Sequence, residues 1–189
     1  MTEPSDALEA GVQIAGALER RGVPYALGGA LAYGQYGIPR ATNDVDVNVF
    51  VEPTALEPVV DALRSLGIEL DEAAAREAAT NVGLFVLRYG IYRLDVFTPS
   101  IPFSWQALQT RVLHPIDGHG VWFLSAEAIC VFKLLFFRGK DVVDLERLIA
   151  VQGAALDGAY VRARIVEMLG TDDPRVTTWD RLWAEHLPR

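Results

Sequence analysis

The run Asp44-Val45-Asp46-Val47-Asn48-Val49-Phe50-Val51 decides how the chain is read. Successive side chains of an extended chain point to opposite faces, so Val45, Val47, Val49 and Val51 share one side and Asp44, Asp46 and Asn48 the other. One side is apolar and fit for burial. The other carries two acids about 6.5 to 7 Å apart along the strand. Upstream, residues 25–27 form a short apolar strand that ends at Gly28-Gly29, and Ala30, Leu31, Ala32 and Tyr33 begin a brief helix stopped near Gly37 and Pro39. Before them, Leu8, Val12, Ile14, Ala15 and Leu18 recur at helical spacing over residues 6–21, with Ser5 or Asp6 as cap and Gly22 as stop.

Downstream, Thr54 with Glu57 three residues on reads as a capping box for a helix whose stripe is Leu56, Val59, Val60, Leu63 and Leu66. Residues 71–80 are polar and alanine-rich and receive no element. Residues 82–88 and 91–97 read as two strands joined at Tyr89-Gly90, an antiparallel hairpin whose second arm carries a third strand acid, Asp95. A second hairpin over 111–123 turns at Asp117-Gly118. Beyond Ser125 the periodicity is helical only, over 126–137, 142–151, 160–169 and 174–186, with Gly139, Gly158 and Gly170 as breakers. The expectation is an α/β (α+β) fold: a small mixed sheet with flanking helices over residues 1–124, and a C-terminal helical annex over 125–189.

The 189 residues are 51% hydrophobic and 22% charged, enough for a real core and far from the composition of a disordered or collagenous chain. A net charge of -8 excludes a basic coat that clings to nucleic acid by bulk field. The single Cys130 lies in an apolar run and reads as core filling. Residues 1–10 are acidic and polar rather than leader-like, and no apolar run reaches the 18 or so residues of a membrane span. A cytoplasmic protein with no membrane partner is expected.

Asp44 and Asp46 can both reach a divalent cation over the sheet, and Asp95 supplies a third ligand. Carboxylates crowded on one surface repel, so gathering them implies a counter-cation. Oxygen-only ligands suit Mg²⁺ or Mn²⁺. A cation pair there would bridge the phosphates of an NTP co-substrate and serve an in-line displacement. Gly28 and Gly29, where a strand meets a helix N-terminus, are candidates for a phosphate cradle, with Arg40 and Thr42 adding hydrogen bonds.

The run Leu27-Gly28-Gly29-Ala30-Leu31-Ala32, then Arg40-Ala41-Thr42-Asn43-Asp44-Val45-Asp46 and later Leu94-Asp95-Val96, resembles the DNA polymerase β-like nucleotidyltransferase superfamily. The segment Ser125, Ala126, Glu127, then Lys133, Arg138, Lys140, Asp141, Asp144 and Leu145 is similar to the AbiE-type branch, which includes toxins of type IV toxin-antitoxin systems. The likeness spans residues 25–148. It implies a magnesium-dependent transferase with Asp44, Asp46 and Asp95 as metal ligands and catalytic acids, Gly28 and Gly29 as the glycine pair, and Lys133 as a nucleotide-binding and catalytic lysine. It also implies an acceptor among RNA (a tRNA end), protein or small molecule, and a cognate antitoxin as partner.

Structural uses compete with these. Asp44 and Asp46 can be the wet side of a half-exposed strand, and Asp95 a partner for Arg93 or Arg88. Asp141 can cap a helix with Asp144 at its N3 position, and Lys133 can snorkel from a half-buried face. His114, Asp117 and His119 flank a turn and lack a fourth metal ligand. A dinucleotide-binding domain would need glycine at Ala30 and Tyr33. A catalytically silent relative that binds a partner protein through the annex is the rival from another class. Arg138, Lys140, Arg147, Arg162 and Arg164 form an RNA-binding patch only if their helices align.

Overall fold

The computed structural model describes residues 3–186. They fall into two compact units: residues up to Leu31 together with Arg40–Leu124, and Ala32–Pro39 together with the chain from Ser125 onward.

The first unit holds a mixed sheet in the order β3-β4-β2-β1-β6-β5, formed by β1 (Tyr25–Leu27), β2 (Asp44–Val49), β3 (Leu84–Tyr89), β4 (Tyr92–Phe97), β5 (Val112–Ile116) and β6 (His119–Phe123). β2 runs antiparallel to β1 and parallel to β4, and β3-β4 and β5-β6 are hairpins. Helix α1 (Ala7–Arg20) starts at Asp6, whose side chain accepts the Glu9 N–H, and buries Ala10, Ile14 and Leu18. Gly11 lets α1 lie close to the sheet, since a Cβ there would sit 3.1 Å from Leu27. Leu27 pairs with Val47 in register, so the valines of β2 lie on the side that α1 covers. Each such buried valine or leucine stabilises the fold by about 1.5 to 3 kcal/mol. Asp44, Asp46 and Asn48 are thereby turned to the opposite face.

Several boundaries differ from the expectation. Thr54 caps nothing: Pro53–Ala55 is a 3-10 turn and α3 (Glu57–Arg64) begins at Leu56 without a side-chain cap. Pro58 has no N–H to give to Thr54, so the helix must place it in the first turn, where that donor has no partner in any case. Residues 71–80, left without an element, are helix α4 (Glu72–Val82), capped by Asp71 accepting from Ala73 and Ala74 and ended by Gly83 at φ 74°. Val82 therefore closes a helix rather than opening β3. A further helix, α5 (Pro102–Thr110), enters at Pro102. β2 stops at Val49.

The second unit contains the end of α2 (Gly29–Tyr36), α6 (Ala126–Phe136), α7 (Gly139–Gln152), α8 (Gly158–Leu169) and α9 (Pro174–His186). Ser125 caps α6 through the Ala128 N–H. Leu134, Leu145, Leu148, Val161, Ile165, Trp179 and Leu182 are buried, and Trp179 stacks on Trp183 and donates to the Gly158 carbonyl. Gly158 is required by that packing, because a Cβ would fall 2.4 Å from the Trp183 ring. Cys130 is fully buried, and burial pushes its thiol far above the usual range, which makes it core. Among the described residues no helix is long and apolar enough to cross a membrane.

Candidate active site

The exposed side of β2, β4 and β3 is a small grid fixed by register. Asp44 pairs with Arg93 and Arg93 with Arg88; Asp46 pairs with Asp95 and Asp95 with Val86; Asn48 pairs with Phe97 and Phe97 with Leu84. Paired residues of neighbouring strands, about 4.8 Å apart, point the same way. All three sequence-predicted acids thus share one face, and it is the face away from α1. The charged row Asp44, Arg93 and Arg88 at one end gives way to Asn48, Phe97 and Leu84 at the other.

The acids are not drawn together as a closed ligand set. Among the described residues no group of three or more His, Cys, Asp or Glu is gathered at metal-binding distance. Asp95 is held instead by Arg93, whose Nε donates to its carboxylate at 2.7 Å. The Asp95 hydrogen bond, Asp95's charge and then the charges of Asp44 and Asp46 hold the Arg93 guanidinium more firmly protonated than usual. The competing structural use of Asp95 is therefore present on the same face as the acids. Three carboxylates from adjacent parallel strands, with no nitrogen or sulfur donor, are the type of donor set that suits Mg²⁺ or Mn²⁺.

The glycine pair divides its work. The Gly28 N–H donates to the Asp46 carbonyl at 2.8 Å, extending the sheet ladder by one bond, so this donor is spent. Gly29, at φ 50°, opens α2, and a Cβ placed on it would lie 1.8 Å from Asp46 Oδ2. A Cβ on Gly28 would lie 2.7 Å from Asn48 Nδ2. Both positions are glycine because the Asp46 and Asn48 side chains pass directly over them. The helix N-terminus and the Asp46 carboxylate consequently meet at one point.

Thr42 acts locally: its hydroxyl accepts the Asp44 N–H at 3.0 Å and lies 3.2 Å from the Asp44 carbonyl, tying down the start of β2. Arg40 is exposed in the loop before β2. Lys133 belongs to the second unit, where it is buried and its Nζ donates to Asp144 at 2.6 Å and to Asp141 at 3.5 Å. Asp141 is at N3 of α7 in a capping box with Arg138, not at the cap, and Asp144 lies one turn on, facing Lys133. The Arg138 Nε also donates to Asp141 at 2.6 Å. The lysine does not snorkel; two carboxylates hold it in the interior.

That cluster carries two predictions. Lys133→Ala strips the main partner from a buried carboxylate, and urea denaturation is expected to show a loss of about 3 to 5 kcal/mol. Asp141 titrates below the usual aspartate range: burial opposes this, but hydrogen bonds from Arg138 and the charges of Lys133 and Arg138 outweigh it. A depressed folded-state pKa stabilises at pH above the ordinary aspartate value and is lost as pH falls through the lowered one. Asp141→Asn is accordingly expected to flatten the acid limb of the stability curve, read as melting temperature between about pH 5 and pH 2.

Of the basic residues proposed as an RNA patch, Arg162 pairs with Asp180, Arg164 with Glu167 and Arg138 with Asp141. Much of that positive charge is neutralised in place. His114 packs edge-on against Phe123 at 5.6 Å, and no metal cluster forms around it among the described residues.

Neither a protein-family profile nor a curated protein sequence matches the chain. Solved structures do resemble it. The antibiotic-resistance factor ANT(2'')-Ia in solution aligns over 83% of this chain and 91% of its own with 19% identity and a TM-score of 0.55. The same factor in complex with adenylyl-2''-tobramycin aligns over 90% and 95% with 17% identity and a TM-score of 0.55. An antigenic nucleotidyltransferase-like protein from Paracoccidioides brasiliensis aligns over 93% and 94% with 21% identity and a TM-score of 0.52. The chain thus has the mixed α/β fold of nucleotidyltransferase-like structures, the fold class expected from its sequence.

Proposed function

We propose that the protein is a metal-dependent nucleotidyltransferase that moves a nucleoside monophosphate from an NTP to a hydroxyl acceptor. The observation that carries this is the in-register pair Asp46 and Asp95, beside Asp44, on the open face of a mixed sheet, with Gly29 pressed against Asp46. Asp44, Asp46 and Asp95 would hold Mg²⁺ or Mn²⁺. When bound, the cation neutralises triphosphate charge and lowers the pKa of the acceptor hydroxyl.

The chain's own residues supply the rest. The N-terminus of α2 at Gly29, which carries no side chain of its own and lies against the Asp46 carboxylate, orients the triphosphate by backbone N–H groups. Asp95, once released by Arg93, accepts the proton of the acceptor hydroxyl at a carboxylate oxygen. The hydroxyl oxygen then bonds to the α-phosphorus as the bond to the bridging oxygen of pyrophosphate breaks, and the positioning of the two reactants carries much of the rate. Arg40 lies on the approach to β2 and contributes charge to the phosphates. Lys133 stands in this reading as a lysine whose charge Asp144 and Asp141 hold within the second unit.

Two acceptors are argued for. An RNA end, as in a toxin-like AbiE relative with a cognate antitoxin, follows from the sequence segment 125–145. A small polyol or aminoglycoside is favoured by the neighbour crystallised with adenylyl-2''-tobramycin and by the neutralised state of Arg138, Arg162 and Arg164. The protein incubated with each α-labelled NTP, Mg²⁺ and, separately, total RNA, expressing lysate and an aminoglycoside panel is expected to yield one labelled acceptor. No labelled acceptor in any arm would count against transfer and for the partner-binding alternative.

A further inference from the structure

We propose that Arg93 is the resident counter-cation of the carboxylate face and competes with the metal for Asp95, so that loading the metal requires the guanidinium to swing away. The inference rests on the metal-binding reading given above.

The geometry for it is fixed by strand register. Arg93 and Asp95 are two residues apart on β4 and therefore on one face, and Arg93 is paired with Asp44 on the neighbouring strand. Its Nε is 2.7 Å from Asp95 Oδ1, within the range of a charge-assisted hydrogen bond. On its other side it is paired with Arg88 of β3, and like charges directly opposite each other are unfavourable. Arg93 is thus drawn by three acids and pushed toward them by an arginine.

The exposures agree with an exchangeable cap. The Asp95 side chain is 15% exposed, whereas that of Arg93 is 52% exposed and has solvent to move into. An arginine on a solvated strand face gives up a position at low cost, because an exposed ion pair contributes little. The same pairing keeps the acids from repelling one another before metal arrives, and it leaves Asp95 without a free carboxylate oxygen on the Arg93 side. Arg93 is a positioning residue in this account: it sets where Asp95 points.

The test uses the full-length protein and reads binding, not turnover. Mn²⁺ affinity is measured by electron paramagnetic resonance for the wild type, Arg93→Met and Asp46→Asn. Arg93→Met is expected to bind Mn²⁺ about two- to fivefold more tightly, as for removal of a modest competing ion pair. In parallel, the Arg93 Nε–H resonance, assigned by its loss in Arg93→Lys, is followed during a Mg²⁺ titration of the wild type. It is expected to shift and lose exchange protection as Mg²⁺ saturates. Saturable, Asp46-dependent binding with an unmoved Arg93 resonance, or with unchanged affinity in Arg93→Met, would overturn the competition while leaving the metal site standing. No saturable binding in the wild type would overturn both.

Discussion

Replacing Asp46 by asparagine is expected to lower nucleotidyl transfer about a thousandfold or more, while the protein stays folded. Asp46 is the acid at the centre of the grid, paired with Asp95 across the strands and passing over Gly29. Asparagine keeps the size of the side chain and leaves the Asp46 carbonyl free to accept the Gly28 N–H, so the ladder survives. What is lost is one charge of the three that would hold the cation. Removing a like charge from a crowded face relieves repulsion, so the melting temperature without metal is expected to stay level or rise slightly. Asp44→Asn is expected to behave in the same way. Steady-state transfer assays alongside thermal melts check both halves, and undiminished turnover in either variant would remove the mechanism.

Gly29→Ala is expected to reduce transfer about a hundredfold or more by displacing Asp46, since a misplacement of roughly 1 Å at the reacting groups costs on that order. An ideal Cβ at Gly29 would lie 1.8 Å from Asp46 Oδ2 and 2.4 Å from its Cγ. No rotation of the methyl relieves such an overlap; the carboxylate or the helix start must move. The backbone at φ 50° adds a left-handed strain of about 1 to 2 kcal/mol for any residue with a Cβ. A variant that folds with a lower melting temperature and fails to bind metal would match this account. Gly22→Ala shares the left-handed strain, at φ 66°, but meets nothing within 4 Å, and serves as the control for strain alone.

What the sequence makes legible is tied to the strength of the periodic signal. β2 alternates so strictly that its buried and exposed faces, and hence the side on which Asp44 and Asp46 lie, follow from spacing alone. Asp95 sits on an alternating arm after a glycine turn, and its facing follows in the same way, although the register that pairs it with Asp46 does not. α4 escapes because its alanines give a helix without a clear apolar stripe, and its cap at Asp71 is one polar residue among several. α5 escapes because a short helix rich in aromatic and glutamine side chains has weak periodicity.

The site is less legible than the fold. The role of Gly29 depends on the Asp46 side chain crossing over it, which is a fact of tertiary packing. The local hydrogen bonds of Thr42 compete with any reach toward phosphate, a tendency of threonine beside a strand start that spacing does not weigh. Lys133, Asp141 and Asp144 stand at helical spacings that suit both a functional cluster and an interior ion pair, and their buried contacts are those of the latter. Arg93 was visible only as a partner for Asp95; that it also faces Asp44 and Asp46 emerges from the strand pairing.

The most direct measurement of the central claim is a crystal structure of the protein with Mn²⁺ and an NTP analogue that resists cleavage between the α- and β-phosphates. The account predicts Mn²⁺ held by carboxylate oxygens of Asp44, Asp46 and Asp95, with the triphosphate at the Gly29 end of α2. Mn²⁺ absent from that face, or a nucleotide bound with its phosphates away from Gly29, would contradict it.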